Sequence, residues 1–254
     1  MSVVLVEKQT PQITVIALNR PERRNALTIE LMSELTEAIE KTAADPKQRI
    51  LILRGAGKAF CTGLDLEAAA DSSKAHATAE MVARMLLALA ETRLITIATV
   101  HGAAVAGGAG IMSACDFVIA AERTKIGYPE VRRGLVAGIV MTFLRRQLRE
   151  RDLRELLLAS ELIEAERARE IGLVNHVVPV GELENAAQKI AASVLQGAPG
   201  AISNSKRLME ELWSTSVKQD IERALRHHLE ARGSDEAKEG IAAFNEKRPP
   251  NWIA

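Results

Sequence analysis

Apolar residues in this 254-residue chain follow two rhythms. Short runs rich in β-branched side chains, at 3–6, 13–18, 50–53, 95–100 and 117–121, predict strands, and the first two, set around Thr10-Pro11, suit a hairpin. The unbroken run at 50–53 predicts a strand buried on both faces, as in a parallel sheet. Between the runs, Ile29, Met32, Leu35, Ile39 and Thr42 fall near helical spacing, with Thr28 as N-cap and Asp45-Pro46 as stop. A second helix is expected over 79–91. Strand and helix therefore alternate through the first half.

Past Gly134 strand signals nearly vanish, apart from 173–178, and helices are predicted over 134–148, 152–159, 164–171, 182–196, 199–211, 217–231 and 235–244. Ser214-Thr215-Ser216 and Gly233-Ser234 mark turns, and Ser234-Asp235-Glu236-Ala237 is a loose capping sequence. The expected organisation is an α/β core over residues 1–195 and a helical region over 196–254. Apolar stripes in such a region dock on their own core or on a partner chain.

The chain is centred on 101–116, HGAAVAGGAGIMSACD, which reads as strand, tight turn, helix. Gly102, Gly107, Gly108 and Gly110 permit positive φ and close approach, and the first turn of the helix presents free N–H groups at its positive dipole end. Such a stretch can hold an oxyanion or a phosphate. A turn that merely packs a helix tightly on a sheet has the same composition.

Composition narrows the field. Hydrophobic residues make up 47%, ample for a core, and 33 basic side chains balance 33 acidic ones, which removes the electrostatic footprint of a nucleic-acid or anionic-membrane binder. Two cysteines make no disulfide framework, the N-terminus has no signal-like pattern, and no apolar stretch reaches the roughly 20 residues that span a bilayer. The expectation is a cytoplasmic protein with no membrane partner. GAGKA at 55–59 is not a phosphate loop, because Ile52 and Ala59 stand where that loop needs glycine and Ser or Thr. Ser113 breaks a GxGxxG pattern, the histidines His76, His101, His176, His227 and His228 show no metal-ligand spacing, and no GxSxG elbow exists. His101 is expected to be a hydrogen-bonded structural histidine. The basic run Arg145, Arg146, Arg149, Arg151, Arg154 is expected on a solvated or subunit-facing helix surface.

Five segments, NRPERRNAL (19–27), AFCTGLDL (59–66), HGAAVAGGAG…CD (101–116), IGYPEVRRGL (126–135) and AFNEKRPP (243–250), in this order and spacing, resemble the enoyl-CoA hydratase/isomerase, or crotonase, superfamily. The resemblance covers essentially the whole chain. It implies a crotonase-like (ClpP/crotonase) fold of repeated ββα units with a C-terminal helical trimerisation region, assembled as a homotrimer or dimer of trimers. It also implies an acyl-CoA thioester as substrate, with coenzyme A part of the substrate and no separate cofactor or metal.

By motif position the resemblance assigns the oxyanion-hole N–H groups to Leu64 and Gly107 and the acid/base to Glu130. The charge that develops on a thioester oxygen needs preorganised donors, and one such donor is typically worth about 3–4 kcal/mol. Hydratases of this family carry two glutamates; here the first position is Gly110, which neither activates water nor donates a proton. The pattern therefore resembles 3,2-enoyl-CoA isomerases, with hydration or another crotonase reaction such as thioester hydrolysis as the alternative, drawing a second group from Glu67, Asp71 or Glu91. A non-enzymatic acyl-CoA- or RNA-binding scaffold is the reading from another class, and neutral charge with a retained Glu130 argues against it. For the CoA moiety the resemblance points to Arg23, Arg24, Ala26, Lys58, Ala59, Asp65, Leu66, Gly108, Pro129, Phe244 and Lys247, with Asp65 also able to cap a short helix.

Overall fold

Two β-sheets carry the site. In the computed structural model, which describes residues 2–65 and 75–253, the larger sheet is built from β1 (Val4–Lys8), β2 (Ile13–Leu18), β3 (Ile50–Gly55), β4 (Ile95–Val100), β6 (Phe117–Ala121) and β9 (His176–Val178), side by side in that order. The smaller sheet joins β5 (Ala103–Val105), β7 (Lys125–Gly127) and β8 (Ile163–Glu164). The β1–β2 hairpin is antiparallel, and every later pair in the large sheet is parallel.

Alternation along the strands sorts their side chains onto two faces. Ile16, Leu18, Leu51, Leu53, Ala98 and Val100 join the main core beneath α1 (Ile29–Ala44) and α2 (Ala75–Glu91). Ile13, Val15, Ile50, Ile52 and Ile97 pack on the opposite side against Leu183, Ala187 and Ala191 of a later helix, Leu183–Leu195. Burial on both faces explains why 50–53 shows no polar alternation. Thr28 caps α1 as expected, its Oγ1 accepting from the Leu31 N–H at 3.2 Å.

The second half differs from its expected boundaries in instructive places. A helix was expected from 134, but Pro129–Arg133 forms a 3₁₀ turn closed by Gly134 at φ +65°, and the following α4 begins only at Gly138 (Gly138–Gln147), after α3 (Gly107–Ser113). The segment expected as 152–159 is α5 (Glu150–Arg154) running into a π turn at Glu155–Ala159. Next come α6 (Ala165–Glu170), α7 (Leu183–Leu195), α8 (Pro199–Glu211), α9 (Val217–Arg232) and α10 (Asp235–Asn245). The strand expected over 173–178 is confined to β9. Strands β5, β7 and β8, of two or three residues each, are too short to leave a period in the sequence. Among the described residues no helix is long and apolar enough to cross a membrane.

A capping box at Ser216 and Gln219 starts α9, which packs over α2 and α4 and buries Val217 and Ile221. Arg146 fastens this return. It was expected on a solvated or subunit-facing helix surface, yet its side chain is only 10% exposed within this chain: it pairs with Glu210 and Asp220, donates to the Thr215 carbonyl at 2.7 Å, and stacks 5.0 Å from the Trp213 ring. Arg149 and Arg154, paired with Asp152 and Glu150, stay outside as expected.

Replacing Arg146 by Met leaves Glu210 and Asp220 without their shared cation, so denaturant unfolding is expected to show a loss of about 2–4 kcal/mol. The exposed neighbour Arg145→Met should change stability by less than about 0.5 kcal/mol. Equal effects at the two positions would mean that the Arg146 cluster does not hold the C-terminal helices.

Candidate active site

The site grows from two chain segments that leave the large sheet side by side. After β3 and β4 the chain continues as a short parallel ladder: the Phe60 N–H donates to the His101 carbonyl at 2.9 Å, Cys61 N–H to Ala103 at 3.1 Å, and Val105 N–H to Cys61 at 3.0 Å. Just beyond, Gly63 takes φ +85°, and a β-carbon there would stand 2.9 Å from the Ala106 methyl and 3.3 Å from the Gly107 nitrogen. Ala106 itself is strained at φ 51°, ψ −124°, held by its N–H donating to the Gly127 carbonyl at 2.8 Å.

This geometry frees two N–H groups. Leu64 pairs in parallel with Leu27, through Leu27 N–H to the Gly63 carbonyl at 2.8 Å and Asp65 N–H to the Leu27 carbonyl at 2.9 Å. In that pattern the N–H of Leu64 points away from its partner strand. Gly107 opens α3, where first-turn N–H groups lack intrahelical acceptors. Both residues are half-buried and both line a cavity of about 810 Å³.

Glu130 lines the same cavity from the 3₁₀ turn after β7. Tyr128, fully buried, anchors that turn to α3 through a 2.8 Å hydrogen bond between its hydroxyl and Ser113 Oγ. Burial raises the Glu130 carboxyl to about 7, against the opposing pull of a backbone hydrogen bond and of the Arg133 charge, and its Oε2 is buried with no hydrogen-bond partner. A carboxyl in that state can hold or release a proton near neutrality.

Gly110 faces neither water nor ligand. A β-carbon there would lie 2.5 Å from Val140 Cγ1 and 3.6 Å from Leu86 Cδ1, so packed aliphatic groups already occupy the place of any side chain. Two other glycines of the central stretch also serve packing, contrary to the expectation that they admit a ligand: a β-carbon at Gly108 would collide with the Cys61 carbonyl, and one at Gly102 with the Lys58 carbonyl.

The cavity lining includes Arg23, Arg24, Ala26, Asp65, Phe244 and Lys247. Lys58, Ala59, Gly108 and Pro129 are not on it: Ala59 is buried with its carbonyl accepting from Asn25 Nδ2 at 2.9 Å, Lys58 is exposed, and Pro129 starts the turn that presents Glu130. The short helix that Asp65 was expected to cap lies outside the described residues; the Asp65 carboxylate bridges Arg20 and Arg23, each at 3.2 Å. Leu66, Glu67 and Asp71 lie outside the described residues, and Glu91 lies on a separate concavity with Glu40 and Glu80. His101 is the structural histidine expected, its Nε2 2.9 Å from the Gly57 carbonyl.

Sequence reasoning missed two features. Asn25, fully buried at φ 56°, accepts from the Arg20 N–H and donates to the carbonyls of Ala56, Ala59 and Phe60, tying the 19–27 loop to the 56–65 loop. An Asn between Arg24 and Ala26, in a residue class that tolerates left-handed backbone, was the available signal. The other is the set Arg133, His228 and Arg232, which also lines the cavity; His228 drew notice only as a metal ligand it does not resemble.

The family model for enoyl-CoA hydratase/isomerase matches residues 8–254. A crotonyl-CoA hydratase from Syntrophomonas wolfei is 34% identical, the match covering 99% of this chain and 98% of that protein. An enoyl-CoA hydratase, EchA19, from Mycobacterium tuberculosis is also 34% identical, over 98% of this chain and 95% of the relative. A crystal structure of an enoyl-CoA hydratase from Mycobacterium avium superposes with a TM-score of 0.87 at 31% identity, covering both chains completely. With its paired N–H groups, its retained carboxyl and this similarity over its full length, the chain belongs to the enoyl-CoA hydratase/isomerase family and is an enzyme of the crotonase superfamily.

Proposed function

We propose that the enzyme moves the double bond of a 3-enoyl-CoA to the 2-position, with Glu130 as its sole acid and base. The observation that carries this reading is the packing at Gly110, where Val140 fills the place the side chain of a second carboxylate would need. Ionised Glu130 removes a proton from C2 of the thioester. The electron pair moves to the carbonyl oxygen, which the N–H groups of Leu64 and Gly107 stabilise. Collapse of the dienolate with delivery of the same proton to C4 gives the conjugated thioester and returns Glu130 to its ionised form. A base poised near 7 suits both transfers, since each direction needs a comparable driving force.

The mouth supplies the binding of coenzyme A. Arg23 and Arg24 offer charge for its phosphates, Ala26 offers backbone, and the half-exposed Phe244 with Lys247 closes the other side. The reaction calls for no metal and no separate cofactor. Self-association as a homotrimer or dimer of trimers is supported by Leu208, Met209 and Leu212, each more than half exposed in or beside α8. Hydration is the second reading, favoured by the names of the relatives and opposed by the filled niche at Gly110.

Turnover of trans-3-hexenoyl-CoA and crotonyl-CoA decides between them. The wild type should isomerise the first and hydrate the second negligibly, and Glu130→Gln should lower isomerisation by at least about 10²–10⁴-fold. Brisk hydration of crotonyl-CoA by the wild type would overturn the single-base reading.

The pH dependence follows from the raised carboxyl. Because the ionised form is the base, kcat/KM for isomerisation should rise with pH and level off above about 7. Stability carries the opposite sign. Wild type bears the cost of burying a charged Glu130 above that pH, so Glu130→Gln should be the more stable protein at pH 8.5, by about 3 kcal/mol. The gap should close as pH falls through 7 toward the ordinary carboxylate range. A difference that does not change with pH would place Glu130 in water rather than in the cavity.

The niche itself can be reopened. Gly110→Glu alone should overpack against Val140 and destabilise by at least about 1–3 kcal/mol. Combined with Val140→Ala, the same substitution should recover stability and gain measurable crotonyl-CoA hydration. No recovery in the pair would show that Val140 is not what fills the niche.

A further inference from the structure

The turn that presents the carboxyl to the cavity also carries a cation. Within Pro129–Arg133, Glu130 and Arg133 stand three residues apart, the spacing at which side chains of a 3₁₀ turn eclipse one another, and both line the cavity. They share a face without bonding. The Arg133 guanidinium stacks 4.5 Å from the Phe244 ring of α10, and its Nη1 donates to the Pro129 carbonyl at 3.4 Å. Its Nε is buried with no hydrogen-bond partner, and so is Glu130 Oε2.

Among the described residues no other acid facing this turn takes up that cation. The turn packs against α10 and the π turn. On α10, Glu239 is paired with Arg248 and Asp235 with Lys238, while Glu236 meets the turn through its backbone. On the π turn, Glu155 is paired with Arg167. Tyr128 is engaged by Ser113, Arg132 donates to Ser160 Oγ at 3.0 Å, and His228, Arg232 and Lys247 elsewhere on the cavity bring no negative charge. Burial opposes the charge on both Glu130 and Arg133, and each charge supports the other.

A carboxyl buried with no cation near it stays protonated at neutral pH and cannot start a proton abstraction. One clamped by a guanidinium at hydrogen-bond distance loses its basicity. A cation held beside the carboxylate but off its oxygens lies between these limits, and stacking on Phe244 is what holds it there. We propose that Arg133, held against Phe244, is a positioning residue for the acid/base step: its charge acts through space to keep Glu130 ionised and leaves free the carboxylate oxygens that must receive the proton. The proposal rests on Glu130 as the base and adds the group that sets the pH at which that base works.

The test is the pH at which Glu130 loses its proton in the full-length protein, read in two ways. One is the rising limb of kcat/KM for trans-3-hexenoyl-CoA. The other needs no turnover: it is the pH above which the stability gap between an enzyme and its Glu130→Gln counterpart stops widening. In the wild type both should lie near 7. In Arg133→Met and in Arg133→Gln both should move up by about one pH unit or more, so that kcat/KM near pH 6 falls at least about tenfold while the alkaline plateau changes less. A purely structural role would lower the plateau and leave the limb in place. Arg133→Lys keeps the charge without the flat stacking face, and should bring the midpoint at least about halfway back to the wild-type value. Unmoved midpoints in the neutral variants overturn the proposal, and either variant alone suffices if the other fails to fold. An equal rise in Arg133→Lys also overturns it, because charge would then not be the cause. If the wild-type gap does not change with pH, the reading of Glu130 as base falls as well. If the stability midpoints move as expected but 3-hexenoyl-CoA is not isomerised, only the isomerase reading fails.

Discussion

Two backbone turns, 62–64 and 105–107, must lie against each other for one oxygen to reach two N–H groups, and the packing around them follows from that closeness. With the Ala106 methyl already between the turns, a β-carbon at position 63 would meet it at 2.9 Å, which leaves only glycine there. The parallel ladder through Cys61 and Ala104 fixes the distance, and the Gly127 carbonyl fixes the angle by holding the strained Ala106. Asn25 ties down the loop that covers one side. Cys61, locked between these strands, is so desolvated that its thiol is pushed up to about 12, which makes it packing material and not a nucleophile.

The electrostatics of the cavity depend on the same enclosure. Glu130 is held high because water is excluded from it, and the nearby Arg133 only partly offsets that effect. A fully solvated carboxylate would be a weak base at neutral pH, and one tightly paired with a guanidinium would be weaker still. The raised value of Glu130 therefore reflects an imbalance, with desolvation exceeding attraction. At Gly110, Val140 and Leu86 likewise put hydrocarbon where a side chain would otherwise stand.

Much of this was legible from side-chain rhythm. The strands at 13–18, 50–53 and 95–100, the α1 cap at Thr28 and the helix from Pro199 to Glu211 all sit where apolar spacing and capping residues put them. What escaped was set by partners distant in sequence. Arg146 looks like any surface arginine until Glu210, Trp213 and Asp220 return to meet it. Gly102 and Gly108 look like ligand-facing glycines until the 58–61 backbone arrives, and Lys58 and Ala59 are turned from the cavity by the same meeting. Strands of two or three residues carry no period at all; pairing with a neighbour creates them.

The C-terminal helices show why the last part of the chain is inseparable from the chemistry. Helix α9 lies over α2 and α4, and a β-carbon at Gly138 would come within 3.0 Å of the Ala224 carbonyl, so helix and cavity wall are packed nearly backbone to backbone. Through that contact α9 brings His228 and Arg232 to the cavity that Leu64, Gly107 and Glu130 also line. Helix α10 does the same for the Glu130 turn, where Gly134 and Gly240 allow its backbone to touch Glu236 and Arg133. Leu64, Gly107 and Glu130 thus come from the sheet-forming half, where short ladders hold the backbone. His228 and Arg232 come from a helix added over it, so their side chains can change without disturbing the ladders beneath.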